Sequence, residues 1–201
     1  MARPTQFDRI QVLEQAMTVF WQRGYASTSM ADLAAAMNLG PGSIYCAFSS
    51  KQALLVEAIN HYAATRRDWM QDSLNSTASV RSALETLLNQ VICATVSPQP
   101  AKGCLIINML LELSSVDETC AELARAHLTQ TKALFREALQ RARATGEIGV
   151  TKEPEDLAIF LIGTLYALHV MSRATDSIAE LQVYLKQSLD FIFGADSTVV
   201  R

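Results

Sequence analysis

The stretch Ser27–Lys51, STSMADLAAAMNLGPGSIYCAFSSK, predicts two short helices joined by a tight turn. Ser29 and Asp32 form a Ser-x-x-Asp capping box, which would satisfy amides left free at a helix start. Apolar residues then recur at helical spacing at Met30, Leu33, Ala34 and Met37. Asn38 adopts left-handed backbone at low cost, and Pro41 suits the first position of a second helix. This pattern predicts a helix-turn-helix.

The second helix is predicted to bury Ile44 and Phe48 and to present small or hydrogen-bonding side chains on its other side. That outer side carries Gly42, Ser43, Tyr45, Cys46 and Ala47. Such a surface can approach another molecule closely. Because the helix lacks Arg, Asn and Gln, the bidentate pairings that read guanine or adenine are missing. Contacts with thymine methyls, a hydrogen bond from Ser43 and shape readout remain.

The run Gly24–Leu55 resembles the DNA-binding region of TetR-family transcriptional regulators. The matching positions are Gly24, Thr28, Ser29, Asp32, Leu33, Ala34, Gly42, Ile44, Tyr45, Phe48, Ser50, Lys51 and Leu54. The departures are Met37, Asn38, Gly40, Cys46 and Ala47. The resemblance implies an all-α fold of about nine helices. A three-helix DNA-binding domain (residues 1–50) would precede a helical ligand-binding and dimerisation domain (residues 51–201).

The resemblance also implies a homodimer on double-stranded operator DNA, with Tyr45 and Lys51 touching the phosphate backbone. Thr28 and Ser29 could add hydroxyl and amide contacts at a helix start. The full set expected at the DNA is Thr28, Ser29, Pro41, Gly42, Ser43, Tyr45, Cys46 and Lys51. The alternatives are that Tyr45 is a packing aromatic and Lys51 a solvated lysine.

The composition bounds the class of protein. The 201 residues are 50% hydrophobic with few Pro (5) and Gly (8), which favours a helical protein. A net charge of −3 predicts only modest non-specific affinity for DNA. We expect a cytoplasmic protein without a membrane partner, because no apolar run reaches the roughly 18 residues of a span. Four cysteines without C-x-x-C spacing are expected to be thiols. We expect no metal and no cofactor.

Further helices are predicted after the helix-turn-helix. A first helix is expected over Phe7–Arg23, and later ones over Lys51–Leu74, Val80–Val96, Gly103–Leu113 and Asp117–Arg143, with the last two beginning at Pro154 and Ser177. The last two have more apolar surface than one core neighbour can cover, so we predict a four-helix dimer interface. Its residues would be Leu157, Leu161, Leu165, Leu168, Leu181, Leu185 and Ile192. The alternative is that both apolar stripes are internal.

A ligand pocket in the second domain is expected from residue type and position. The candidates are Trp69, Met70, Cys104, Ile107, Leu110, Leu111, Phe135, Tyr166 and His169. The hypothesis is a repressor released from a palindromic operator when a small apolar or electrophilic molecule enters the body of the protein. His169 would offer that molecule a polar contact.

Cys104 precedes an apolar helix and supports an alternative, a regulator gated by thiol modification. Cys93 or Cys120 would then be the resolving thiol, and oxidation of Cys46 would act directly at the DNA face. The competing interpretation is that Cys104 packs as a small hydrophobe. No Ser/His/Asp arrangement or other catalytic constellation is evident, so we do not expect an enzyme. An all-α enzyme or scaffold that carries a helix-turn-helix is the alternative of another class.

Overall fold

The structure, a computed structural model, describes residues 7–96 and 103–194, and over these residues the chain forms helices and no strand. The helices are α1 (Arg9–Arg23), α2 (Met30–Ala36), α3 (Pro41–Phe48), α4 (Lys51–Asn75), α5 (Val80–Val96), α6 (Leu105–Leu113), α7 (Glu118–Ala144), α8 (Pro154–Ala174) and α9 (Ile178–Phe193). The predicted all-α class and helix number are confirmed. α6 begins later than predicted because Gly103 has a φ of 84° and Cys104 is extended.

The chain divides into two compact units. The head unit comprises Met1–Thr65 and Cys104–His127, and the body unit comprises Arg66–Gly103 and Leu128–Arg201. This division differs from the predicted boundary at residue 50, because α6 and the first part of α7 fold with the helix-turn-helix. α6 has five buried residues in nine, which suits a helix inside the head unit.

The head unit is built around the predicted helix-turn-helix. The capping box of α2 is confirmed, with the Ser29 hydroxyl accepting from the Asp32 amide at 3.1 Å and the Asp32 carboxylate accepting from the Ser29 amide at 2.9 Å. Asn38 takes the predicted left-handed backbone (φ 49°), and Pro41 is the first residue of α3. α1 begins with Asp8 as its cap. Fully buried side chains pack these helices together: Phe20, Leu33, Ile44, Phe48, Leu54, Leu55 and Ile59.

The residues predicted to form the dimer interface are instead in the core of the body unit. Leu157, Leu161, Leu165, Leu168, Leu181, Leu185 and Ile192 are all at most 7% exposed. They pack in one cluster with residues of α4, α5 and α7. α8 and α9 each carry two apolar stripes, and the leucine-rich stripe is the one that fills the core of their own chain.

α8 has the length and composition of a membrane span, a property that it shares with core helices of helical domains. Half of the residues in its most apolar stretch are buried inside the structure. Ten of its residues are buried, among them Leu161, Leu165 and Leu168. α8 is therefore accounted for as a helix that contributes one side to the core of the body unit.

Glu147 caps the start of α5 from the end of α7. Its carboxylate accepts from the amides of Val80 (3.0 Å) and Arg81 (3.1 Å) and from the hydroxyl of Ser79 (2.9 Å). Burial by itself raises the pKa of Glu147, but these hydrogen bonds outweigh it, so the pKa lies below its ordinary value. The ionised carboxylate thus accepts the hydrogen bonds of amides that have no carbonyl partner at the helix start.

Replacing Glu147 with Gln is expected to destabilise the protein by about 1–3 kcal/mol at neutral pH, because α5 loses a charged acceptor. The folded pKa is depressed, so the stabilisation is present above the unfolded pKa of about 4.3 and is lost as the pH falls through the folded value. Urea unfolding of both proteins between about pH 7 and pH 3 should converge at the acid end. Glu153→Gln is the control, since the Glu153–Arg143 pair is exposed. Equal midpoints for Glu147→Gln and the control at neutral pH would contradict the assignment.

Candidate DNA-binding site

α3 presents the outer face that the sequence predicts. Ile44 and Phe48 are 0% and 2% exposed, whereas Tyr45 is 53% exposed although it is a large aromatic. Gly42 and Cys46 are also exposed, and no atom lies within 4 Å of a Cβ built on Gly42. The helix start at Gly40 has no side-chain cap, and the amides of Ser43 and Ile44 donate to the Gly40 carbonyl. An exposed aromatic beside small residues on a short helix leaves room for another surface to approach.

Arg9 holds the carboxyl end of α3, a role that sequence reasoning missed. Its guanidinium donates to the carbonyl of Ala47 at 3.4 Å and lies 4.5 Å from the centre of the Phe48 ring. It also forms an ion pair with Glu57 of α4 at 2.7 Å. A cation at a helix carboxyl end is favourable because the last carbonyls carry partial negative charge. Arg9 therefore fixes α3 against α1 and α4.

Thr28 and Lys51 make their contacts inside the protein. Thr28 is 1% exposed and its hydroxyl donates to the carbonyl of Gly24 at 2.6 Å, so the hydroxyl contact to phosphate expected for it is blocked by burial. The Lys51 ammonium donates to the carbonyls of Tyr25 and Thr28, each at 2.8 Å, and lies 4.1 Å from the Tyr25 ring centre. Ser29 is exposed, with its hydroxyl and amide engaged in the capping box.

Every cation in residues 7–60 is bonded to a protein group. Arg9 pairs with Glu57, Arg23 pairs with Asp32 at 2.6 Å, and Lys51 binds two carbonyls. The hydroxyl and then the amide of Ser29, followed by Arg23, lower the pKa of Asp32 to about 2, so that carboxylate stays charged. These residues thus offer few free cations, in line with the modest salt-dependent affinity that the composition predicts.

Cys104 is half-buried as the N-cap residue of α6, and the hydroxyl of Tyr62 lies 3.8 Å from its sulfur. All four cysteines are free thiols. Burial, with the nearby carboxylate of Asp117, raises the pKa of the Cys120 thiol to about 11. Cys120 is therefore a poor resolving nucleophile, because the thiolate is the reacting form. Cys93 is exposed and belongs to the body unit, and Cys46 is exposed on α3.

The predicted ligand residues fall into two groups. Cys104, Ile107, Leu110 and Leu111 belong to the head unit, and Leu111 is 72% exposed, so it lines no cavity there. Trp69, Met70, Phe135 and Tyr166 pack in the hydrophobic cluster of the body unit. Two described surface depressions involve other residues: Gln15, Thr18, Val19, Gln22, Arg23, Asp32, Ala35 and Ala36 line one, and Ser82, Glu85, Thr86, Asn89, Gln90 and Cys93 line the other.

His169 is a buried polar group with an unmet hydrogen bond. It is 7% exposed, and its Nδ1 has no hydrogen-bond partner among the residues that the structure describes. Burial, and then the positive charge of Arg66, lower the pKa of His169 to about 4, so the imidazole is neutral at physiological pH. The Arg66 guanidinium lies 4.1 Å from the Trp69 ring centre. An unpaired buried polar atom costs free energy, and a polar ligand group would satisfy it.

A second apolar surface, which we call the outer face, lies on α8 and α9. Ile159 and Val170 of α8 are each 54% exposed, and Val183 and Phe191 of α9 are each 62% exposed. The ring centres of Phe160 and Phe191 are 4.8 Å apart, so these two side chains pack α8 against α9 at this surface. The sequence-based prediction assigned the dimer to the leucines on the buried side of the same two helices.

A capped helix, a left-handed turn and a short helix with an exposed aromatic define a helix-turn-helix DNA-binding protein. Residues 12–58 match the family model "Bacterial regulatory proteins, tetR family", and residues 81–187 match "Tetracyclin repressor-like, C-terminal domain". The chain belongs to the TetR family of transcriptional regulators, as the resemblance of residues 24–55 predicts.

Relatives of nearly full length support this membership. The chain is 30% identical to the uncharacterized HTH-type transcriptional regulator YezE of Bacillus subtilis (strain 168), over 96% of this chain and 100% of that protein. It is 30% identical to the HTH-type transcriptional repressor ComR of Escherichia coli (strain K12), over 89% of this chain and 86% of that protein. A cysteine mutant of the TetR family regulator CifR, complexed with 26 bp double-strand operator DNA, has 31% identity and a TM-score of 0.87 over 95% and 100% of the two chains.

Proposed function

We propose that this protein is a homodimeric repressor that acts in the cytoplasm and binds a palindromic operator through α3. A small apolar or electrophilic molecule would release it. The single observation that carries the proposal is the exposed outer side of α3, with Tyr45 standing beside Gly42 and Cys46. Family membership favours this regulator over an all-α enzyme or scaffold that carries a helix-turn-helix.

The DNA contacts are expected from α3 and from Ser29 at the start of α2. The Tyr45 hydroxyl and the Ser43 side chain would bind phosphate oxygens, and the Gly42 amide would add a donor at the start of α3, where helix ends favour anions. Pro41 and Gly42 let the backbone approach the duplex, and Cys46 would contact a base edge or a thymine methyl. Ser29, exposed at the start of α2, would lie beside the phosphates.

The outer face supports the homodimer. It is apolar and exposed over two helices, and a two-fold axis would pair it with the same face of a second copy. Gly163 lies within it, with no atom within 4 Å of an added Cβ. A glycine inside a helix costs about 1 kcal/mol relative to Ala, and a close helix–helix contact is a physical reason to keep one.

Release would be a shift in population. The inducer must bind the DNA-incompetent form of the protein more tightly than the competent form. The unmet Nδ1 of His169, on the helix that also supplies Leu165 and Leu168 to the hydrophobic cluster, is the observation that favours a ligand in the body unit. The ligand would bring an apolar body for the cluster and one polar group for the imidazole.

Thiol gating at Cys104 is the second candidate mechanism. Its support is position, since Cys104 is half-buried at the start of α6 and α6 belongs to the head unit. Modification of that sulfur would add bulk where α6 begins. The low reactivity expected of Cys120 favours an adduct on Cys104 over a disulfide between these two residues.

Tyr45→Phe is expected to weaken operator binding by about tenfold per half-site, because each protomer loses one charge-assisted hydrogen bond of about 1.5 kcal/mol to phosphate. The measurement is fluorescence anisotropy at fixed salt with DNA from upstream of its own gene, against a scrambled duplex. Tyr184→Phe, which removes a hydroxyl from α9, is the matched control. Unchanged affinity of Tyr45→Phe would show that Tyr45 is a packing aromatic.

The same titration after mild oxidation separates the two release mechanisms. Loss of binding that reductant restores, and that Cys104→Ser abolishes, would support thiol gating. Binding that is indifferent to the oxidant would favour a reversible ligand. If oxidation still abolished operator binding in Cys104→Ser but not in Cys46→Ser, the oxidised residue would be Cys46 on the DNA-facing helix.

A further inference from the structure

The turn between α1 and α2, residues 24–29, binds a carboxylate that comes from α6. The amide of Tyr25 donates to Glu112 Oε2 at 2.9 Å, and the amide of Ala26 donates to Glu112 Oε1 at 2.7 Å. Two successive amides that converge on one carboxylate form a small anion-binding concavity of the backbone. The negative charge of Glu112 makes both bonds charge-assisted, and therefore stronger than neutral ones.

Gly24 is shaped to this carboxylate. Its φ of 79° is in the left-handed region, and a Cβ built there would lie 2.8 Å from Glu112 Oε2. Any side chain at position 24 would push the carboxylate off the turn. A glycine is thus required at position 24 for two reasons. The backbone that ends α1 has a positive φ there, and the Glu112 carboxylate lies where a side chain would be.

Lys51 binds the other polar edge of the same turn. It donates to the carbonyls of Tyr25 and Thr28, each at 2.8 Å, while Glu112 accepts from the amides. The turn is held between an anion on α6 and a cation on α4. α2 begins at Met30, directly after the turn, and α3 follows it, so the position of the turn sets the position of the recognition helix.

We propose that Glu112 is the positioning residue that holds the α1–α2 turn, and with it the helix-turn-helix, in the orientation that binds the operator. The bonds at 2.7 and 2.9 Å are lost beyond about 3.5 Å, so a shift of less than about 1 Å is sufficient to break them. The half-buried Cys104 is the N-cap residue of α6, so the candidate sensor thiol lies next to the helix that carries Glu112. The inference rests on operator binding as proposed above.

Two pairs of variants test the role of Glu112 in operator affinity. Glu112→Gln removes the charge, and its amide nitrogen cannot accept the second N–H, while Glu118→Gln removes the same charge from an exposed pair with Arg125. Gly24→Ala displaces the carboxylate, while Gly146→Ala places a side chain at an equally left-handed φ of 77° with no atom within 4 Å. We expect Glu112→Gln and Gly24→Ala to lower operator affinity about tenfold or more, and the two controls to stay within about twofold.

Amide hydrogen exchange provides the readout that a general loss of stability would not produce. Glu112→Gln should speed exchange at Tyr25 and Ala26 selectively, at a temperature where circular dichroism shows the variant to be folded. In a Glu112→Ala background, Gly24→Ala should cost no more affinity than Gly146→Ala costs, because the carboxylate is already gone.

The proposal would be overturned if the operator affinity of Glu112→Gln lay within twofold of that of Glu118→Gln. It would also be overturned if the loss of operator affinity were accounted for entirely by the fraction of the variant that is unfolded. If wild-type protein prefers none of the duplexes, the operator proposal fails. The exchange experiment then still decides whether Glu112 holds the turn, and unchanged exchange at Tyr25 and Ala26 overturns the inference.

Discussion

Phe191→Glu is expected to convert the protein to monomers and to abolish tight operator binding. Phe191 is 62% exposed on the outer face, where its ring packs on Phe160. An aromatic anchor contributes about 2 kcal/mol or more to the binding free energy of an interface. In a two-fold dimer the substitution removes this anchor from both protomers. The dimer dissociation constant should therefore rise about 1000-fold or more. A monomer that engages one half-site would lose most of the affinity of the dimer.

The measurement is light scattering with size-exclusion chromatography, followed by operator titration at the same protein concentration. Val150→Glu and Val116→Glu are controls, because these valines are 82% and 77% exposed but lie in turns outside the outer face. Both should remain dimers with unchanged operator affinity. A Phe191→Glu protein that stays dimeric would show that another surface forms the homodimer.

Lys51→Met is expected to weaken operator binding about tenfold or more while leaving its salt dependence unchanged. Methionine keeps the apolar length of the side chain, but it leaves the carbonyls of Tyr25 and Thr28 without their charged donor. The α1–α2 turn would then lose its support from α4. The resemblance to the family implies a phosphate contact by Lys51, and the two roles differ in a measurable way.

A lysine that binds phosphate releases about one counterion, so its removal lowers the slope of log affinity against log salt by about 0.9. A lysine that holds the turn changes affinity without changing that slope. Titrations between about 50 and 200 mM salt separate the two roles. Lys186→Met is the control, because the Lys186 side chain is 70% exposed on α9. A slope reduced by about one in Lys51→Met would assign Lys51 to the DNA backbone.

The parts of the fold that the sequence predicts are those whose bonds are local. The Ser29–Asp32 capping box spans three residues, and it formed as predicted. Asn38 in the turn and Pro41 at the start of α3 follow from their own backbone preferences. The periodicity of apolar residues gave the number and type of the helices, since burial of one helix face repeats every 3.6 residues.

The roles of charged residues in the head unit depend on partners that are distant in sequence. Arg9 meets Glu57 across 48 residues, Lys51 meets Tyr25 across 26, and Glu112 meets Tyr25 across 87. No spacing rule links such pairs, so Glu112 and Arg9 were missed, and Lys51 was assigned to DNA from the family resemblance. A charged residue on a mostly apolar helix, as Glu112 is on α6, was the one signal that could have drawn attention to it.

By itself the sequence determined an all-α fold with a helix-turn-helix, because capping, turn chemistry and helical periodicity are encoded within a few residues. The regulator class followed from the resemblance of residues 24–55 to the TetR family. Only the tertiary structure decided which apolar stripe of α8 and α9 fills the core and which remains exposed. Both stripes satisfy the same periodicity, and the choice depends on how the leucines of one stripe pack against α5 and α7. The tertiary structure likewise decided that Lys51 faces the α1–α2 turn, since a charge binds whatever partner the fold brings within reach.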